Sequence, residues 1–120
     1  MRLPAARRLR ASSEFARVRA EGTSFPGKYV LINVLRLPDG SPWRSGLITS
    51  RKVGGAVQRN LARRRLREVI RAAMLKNGLW VVTVARWRIA EATFEDLRQD
   101  WLRTARRARI LQEDATPRTP

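Results

Sequence analysis

The chain contains no cysteine and no histidine. The first absence excludes disulfides, thiolate metal sites and cysteine nucleophiles. The second removes the side chain most used for acid–base work near neutral pH, and the commonest zinc ligand. Without histidine no Ser–His–Asp constellation can be assembled, and no serine or lysine has an identifiable activator. No apolar run approaches the roughly 18–20 residues of a membrane span. Acids are scarce: 10 Asp plus Glu face 26 Lys plus Arg, for a formal charge of +16. Self-repulsion at that charge opposes the compact state, and an anionic partner relieves it. These absences point to a cytoplasmic polyanion-binding protein with no membrane partner, no small-molecule substrate, no metal site and no catalytic residues of its own.

What is present suits one folded domain. The 120 residues are 43% apolar, enough for a hydrophobic core at this length. We expect a single domain over 1–111 with a basic N-terminal arm, and a disordered tail over 112–120. Of the 26 cations, 23 are Arg. Guanidinium forks suit bidentate phosphate and base recognition, although a coding bias for Arg would produce the same ratio.

The opening Met1–Arg10 stretch carries four Arg and no acid. It reads as a basic arm leading into a helix rather than as a transit peptide. That helix is predicted from Ser12 or Ser13 to Glu21, with Glu14 in its first turn and Gly22 as a left-handed stop. Phe15 and Val18 share one face. Tyr29–Leu35 is β-branched and aromatic, and reads as a strand. Pro38–Pro42 is turn chemistry, so a strand over Trp43–Ser50 should complete a hairpin, with room nearby for a further strand. Leu79–Ala85 is nearly continuously apolar and should be covered on both faces. A helix is predicted over Val57–Lys76, closed by Asn77-Gly78. A last helix follows the capping-box signature Thr93 to Asp96, burying Phe94, Leu97, Trp101, Ala105 and Ala108.

The Val57–Lys76 helix is the most informative segment. Ala62, Leu66, Val69, Ile70 and Ala73 fall within one arc of the helical wheel, a core-facing stripe. Asn60, Arg63, Arg64, Arg67 and Arg71 fall in the neighbouring arc. Between Arg51 and Lys76 nine cations face Glu68 alone. Like charges at i,i+4 cost about 0.2–0.5 kcal/mol per pair, so this face makes sense if phosphates neutralise it. Arg51-Lys52-Val53-Gly54-Gly55 precedes the helix and combines two cations with free backbone donors. It is not a P-loop, because no Gly-Lys-Ser/Thr follows.

Glu91, Glu95, Asp96 and Asp100 cluster near the last helix. Such acids could bind metal, but a cap and dipole role paired with Arg98 and Arg103 is the simpler reading. Trp80, Trp101 and Phe94 read as core. Phe15 and Tyr29 are either core residues or rings on which an unpaired base stacks. Trp87, between Arg86 and Arg88, reads as an exposed aromatic in a basic setting.

Arg51-Lys52-Val53-Gly54-Gly55-Ala56-Val57-Gln58-Arg59-Asn60-Leu61-Ala62-Arg63-Arg64-Arg65-Leu66-Arg67-Glu68 resembles the signature segment of the bacterial ribonuclease P protein component. The likeness extends through Leu9-Arg10 to Ser13-Glu14-Phe15, Gly46-Leu47, Val84-Ala85-Arg86 and Phe94-Glu95, covering roughly residues 5–111. It implies an α+β fold: a small α/β sandwich of about four strands and three helices, ordered α-β-β-β-α-β-α. A left-handed βαβ crossover, similar to that of a ribosomal-protein domain, is also implied.

The implied role is that of a subunit which pairs with a catalytic RNA to remove the 5′ leader of precursor tRNA. In that scheme the RNA supplies the active site and holds most of the Mg²⁺. By position, the RNA-binding groups fall on Arg51, Lys52, Arg59, Asn60, Arg63, Arg64 and Arg67, and the stripe adds Arg71. The leader cleft falls on Phe15, Arg19, Tyr29, Leu31 and Asn33. There are departures. Leu61 replaces a usual Arg, with Arg65 as its potential substitute; Gly55 replaces Asn; Arg19 replaces an aromatic, trading stacking for phosphate contact. The rival readings are a ribosomal-type structural rRNA binder, a metal-dependent nuclease and a basic DNA-binding module.

Overall fold

The computed structural model describes residues 5–112. A 3-10 turn at Ala5–Arg7 leads into helix α1 (Ser12–Glu21), followed by strands β1 (Thr23–Pro26), β2 (Val30–Arg36) and β3 (Arg44–Ile48). Helix α2 (Ala56–Ala72), strand β4 (Leu79–Ala85) and helix α3 (Phe94–Ala108) complete the chain. The class and the α-β-β-β-α-β-α order agree with expectation.

The expected hairpin between Tyr29–Leu35 and Trp43–Ser50 does not form. The sheet order is β1-β2-β4-β3, so β4 lies between β2 and β3. It runs antiparallel to β2 and parallel to β3. The reason lies in β4 itself. A strand apolar on both faces is driven to the sheet interior, and the Pro38–Pro42 segment serves equally well as a wider loop. Parallel pairing then requires a crossover, which α2 supplies. The hairpin that does form joins β1 to β2 across Gly27–Tyr29, where Gly27 N donates to Val30 O at 2.7 Å.

One sheet face carries the larger core. Val30, Ile32 and Val34 of β2 and Leu79 and Val81 of β4 meet Leu66 and Ile70 of α2 and Leu97, Trp101 and Ala105 of α3. The Trp101 indole is fully buried and donates from Nε1 to Thr83 Oγ1 at 3.0 Å. The opposite face carries a smaller cluster in which Val18 of α1 and Leu9 meet Leu35 and Val82. Both faces of β4 are therefore covered. Ala62, Leu66, Val69 and Ile70 are buried and Ala73 packs against them, as the wheel requires.

Four local expectations need correcting. Gly22 is extended (φ −88°), not left-handed; a Cβ there would lie 2.5 Å from Val18 O and 2.6 Å from Val34 O, so close approach selects glycine. Helix α2 stops at Ala72 rather than Lys76, because Ala73 turns extended and Leu75 forms a bridge with Leu111. Gly78 (φ +79°) instead sets the entry to β4, exchanging backbone hydrogen bonds with Leu37 and Ser41. Phe94 is 39% exposed, since it is the first residue of α3 and burial begins one turn later at Leu97.

The basic arm is described from Ala5, and it lies along β3 through Leu9 N donating to Ser45 O at 2.9 Å. Of the expected tail, Gln112 hydrogen-bonds to Met74 O and Leu75 O, and 113–120 lie outside the described residues. Among the described residues no helix is long and apolar enough to cross a membrane.

Candidate RNA interface

The cations of the central segment are placed by the start of α2. Arg51 and Lys52 sit on a 3-10 turn held by Ser50, whose hydroxyl accepts from Lys52 N at 3.3 Å. Gly54 follows at φ +137°, a conformation that disfavours any side chain, and lets the chain enter α2. Gly55 is the N-cap and offers no capping side chain, so the first-turn N–H groups of α2 receive no side-chain acceptor from it.

Along α2 the polar stripe stands beside the buried one. Arg59 is half-buried and donates to Gly54 O at 2.9 Å, which ties the loop to the helix. Asn60 Oδ1 accepts from Arg63 NH1 at 3.1 Å. Arg71 pairs with Glu68 at 3.0 Å, both partly exposed. Among the described residues the side chains of Arg51, Lys52, Arg64 and Arg67 have no hydrogen-bond or ion-pair partner within the chain. Arg65 turns the other way and donates to Ala92 O at 3.2 Å, and Leu61 lines a small hollow with Arg65, Ile89 and Leu97.

The stripe is continuous with the α1 side of the sheet. A pocket of about 300 Å³ is lined by Arg63, Arg67 and Ile70 of α2, Phe15 of α1, Ser45–Leu47 of β3, and Arg8 and Leu9 of the arm. The Phe15 ring lies against Gly46, where a Cβ would come within 2.5 Å of Phe15 Cε1. The ring is thus half-buried, packed on backbone yet still lining the pocket. Glycine at 46 is what admits it.

Leu31 and Asn33 alternate with Val30, Ile32 and Val34, so they lie on the α1 face, half-buried. Leu31 pairs across to Val84, and Val84 to Ile48, giving that face a partly open apolar floor. Asn33 Oδ1 accepts from Ser24 Oγ. Arg19 is exposed on α1, one turn after Phe15. Tyr29 stands apart: it precedes β2, packs against the larger core and has the Lys28 ammonium 5.3 Å from its ring. The structure therefore brings Phe15, Arg63 and Arg67 together and leaves Tyr29 apart from them, against the larger core.

Two positioning elements escaped sequence reasoning. Asp100 is buried, and its carboxylate accepts from the backbone N–H groups of Lys28 (2.9 Å), Tyr29 (2.8 Å) and Val30 (3.3 Å), while Arg103 closes on it at 3.2 Å. This acid holds the β1–β2 turn in place. Glu14 accepts from Arg10 N and Ala11 N and pairs with Arg44 at 2.6 Å. These contacts, the backbone donation from Arg10 first among them, hold its carboxyl below the usual carboxylate range. Arg44 also reaches Arg8 O at 2.7 Å, so Glu14 and Arg44 fasten the arm to α1. The sequence near Asp100 suggests the Arg103 pair but not the turn, whose donors lie 70 to 72 residues away in sequence.

The acids near α3 are engaged elsewhere. Asp96 completes the cap of α3 with Thr93, Glu95 is taken by Arg98 at 2.6 Å, and Asp100 serves backbone. Among the described residues no three metal-ligating side chains come together. The arrangement can neutralise phosphates along one helix and offer an aromatic and apolar surface beside it.

The sequence pattern of the family described as Ribonuclease P matches residues 3–109. The chain belongs to the ribonuclease P protein family. The chain is 36% identical over 109 residues to the ribonuclease P protein component of Symbiobacterium thermophilum, spanning 89% of this chain and 95% of that one. The corresponding protein of Beutenbergia cavernae is 41% identical over 100 residues, covering 82% and 84%. Among solved structures, the RNase P protein of Thermotoga maritima superposes with a TM-score of 0.73 at 26% identity, covering 83% of this chain and 96% of that one. A Staphylococcus aureus RNase P protein superposes at 0.80 and 19% identity, covering 88% and 98%, a likeness of fold.

Membership identifies the chain as a protein subunit of ribonuclease P, working in a ribonucleoprotein. The ribosomal alternative is not favoured. Within the family frame, Leu61 faces the 3-10 turn after β4 rather than the arginine stripe, and Arg65 is engaged with Ala92, so neither adds a free cation to that stripe.

Proposed function

We propose that the stripe Arg51, Lys52, Arg59, Asn60, Arg63, Arg64, Arg67 and Arg71 grips the catalytic RNA of ribonuclease P. In the same reading, the α1 face, with Phe15, Arg19, Leu31 and Asn33, and Tyr29 in the turn just before β2, cradles the single-stranded leader of precursor tRNA. The RNA performs the scission and holds most of the Mg²⁺; Glu95, Asp96 and Asp100 are committed to an ion pair, a cap and a backbone turn. The complex works in the cytoplasm.

One observation carries the reading. Four cationic side chains of the segment stand without a partner among the described residues, and the pocket beside them joins Arg67 to Phe15. Repulsion along α2 is tolerable in a folded protein when phosphates offset it.

Reconstitution tests it. The purified chain alone should leave precursor tRNA uncut, and adding a bacterial ribonuclease P RNA with Mg²⁺ should restore 5′ leader removal. Cleavage by the protein without RNA would sink the reading.

A further inference from the structure

Of the four Trp residues, only Trp87 is exposed: it shows 60% of its surface, whereas Trp101 is fully buried and Trp43 and Trp80 are half-buried. It opens the 3-10 turn Trp87–Glu91 directly after β4. Because β3 and β4 are parallel, their C-terminal ends lie at the same edge of the sheet, and this turn packs against the turn carrying Arg51 and Lys52. The Arg88 guanidinium lies 5.8 Å from the indole centroid and makes only a loose 3.6 Å pair with Glu91. Arg86 anchors the site from behind, donating its backbone N–H to Tyr29 O and its side chain to Gly27 O at 3.0 Å.

An indole left in water among cations is a poor seat for an apolar protein surface, which would have to desolvate those guanidiniums without pairing them. A nucleotide meets both demands: its base offers a π-face to the ring, and its phosphate meets the cations. We propose that Trp87 is a stacking platform for one unpaired base of a single-stranded RNA whose phosphates run past Arg51, Lys52 and Arg88. The inference rests on the RNA-binding reading above and deepens it, adding a base contact where that reading assigns only phosphate contacts.

The experiment uses the full chain, a short oligouridylate and an abasic ribose-phosphate oligomer of equal length. Trp87→Ala should weaken oligouridylate binding by about 5- to 150-fold, the range of one base–aromatic stack, and leave abasic binding unchanged. Trp87→Phe should keep most of the affinity. Oligouridylate should quench tryptophan emission in the wild type, and that quenching should vanish in Trp87→Phe. Equal losses on both oligomers, or no loss on either, would overturn the platform while leaving RNA binding intact. If the wild type binds neither oligomer, the RNA-binding reading fails and the platform goes with it. The ring is exposed, so circular dichroism should show both variants folded.

Discussion

Helices α2 and α3 carry similar loads of arginine and treat them in opposite ways. In the first half of α3 each acid is used: Glu95 holds Arg98, Asp100 holds Arg103, and Asp96 caps the helix. In α2 the single acid, Glu68, serves Arg71 alone, while Arg64 and Arg67 stand free among the described residues. The first half of α3 pairs its cations with its own acids. Helix α2 leaves most of its cations without an acid in the fold, as the proposed phosphate partner requires. Arginine content therefore says little about binding; the placement of the acids discriminates.

The comparison breaks most visibly at Asp100. Asp100→Ala should remove the acceptor of three backbone donors in a partly buried turn and leave the Val30 N–H unpaired in the core, costing about 2–4 kcal/mol. The urea midpoint should fall accordingly, while the salt dependence of RNA binding stays as in the wild type. A variant that binds RNA with a shallower slope and melts normally would place Asp100 on the wrong side of the divide.

The two helices were also unequally readable in advance. The stripe of α2 follows from period alone, because Ala62, Leu66, Val69 and Ile70 dictate which residues point outward. The α3 cap was equally local: Thr93 and Asp96 are three residues apart. What could not be read were contacts between segments distant in the chain. Nothing near Asp100 announces Lys28–Val30, and nothing near Phe15 announces that Gly46 makes room for its ring. Strand order failed for the same reason, since adjacency of β2 and β3 in sequence is a weaker force than burial of β4 on both faces.

A matched pair of substitutions sharpens the contrast. Arg67→Ala should lower the slope of log affinity against log salt by about 0.7–0.9, the release of one phosphate contact, and leave stability within about 0.5 kcal/mol. Arg98→Ala should leave that slope alone, because its guanidinium is already spent on Glu95. An unchanged slope for Arg67→Ala would remove it from the phosphate-binding set. A changed slope for Arg98→Ala would erase the difference between the helices.

The smallest effect is a titration. Hydrogen bonds from Arg98, then from Gln99, lower the Glu95 carboxyl to about 2 from its ordinary 4.5. Since the folded value is the depressed one, whatever stability the pair contributes is fully present above about pH 4.5 and is lost as the pH falls towards 2. The side chains are exposed and salt screens them, so the contribution is minor. Carbon-detected NMR should place the Glu95 midpoint near 2 in the wild type and move it back towards 4.5 in Arg98→Ala. RNA should leave the Glu95 midpoint where it is, because α3 has satisfied its own charges there. A midpoint that moves on adding RNA would mean that Arg98 is drawn to phosphate, and that α3 too was waiting for a partner.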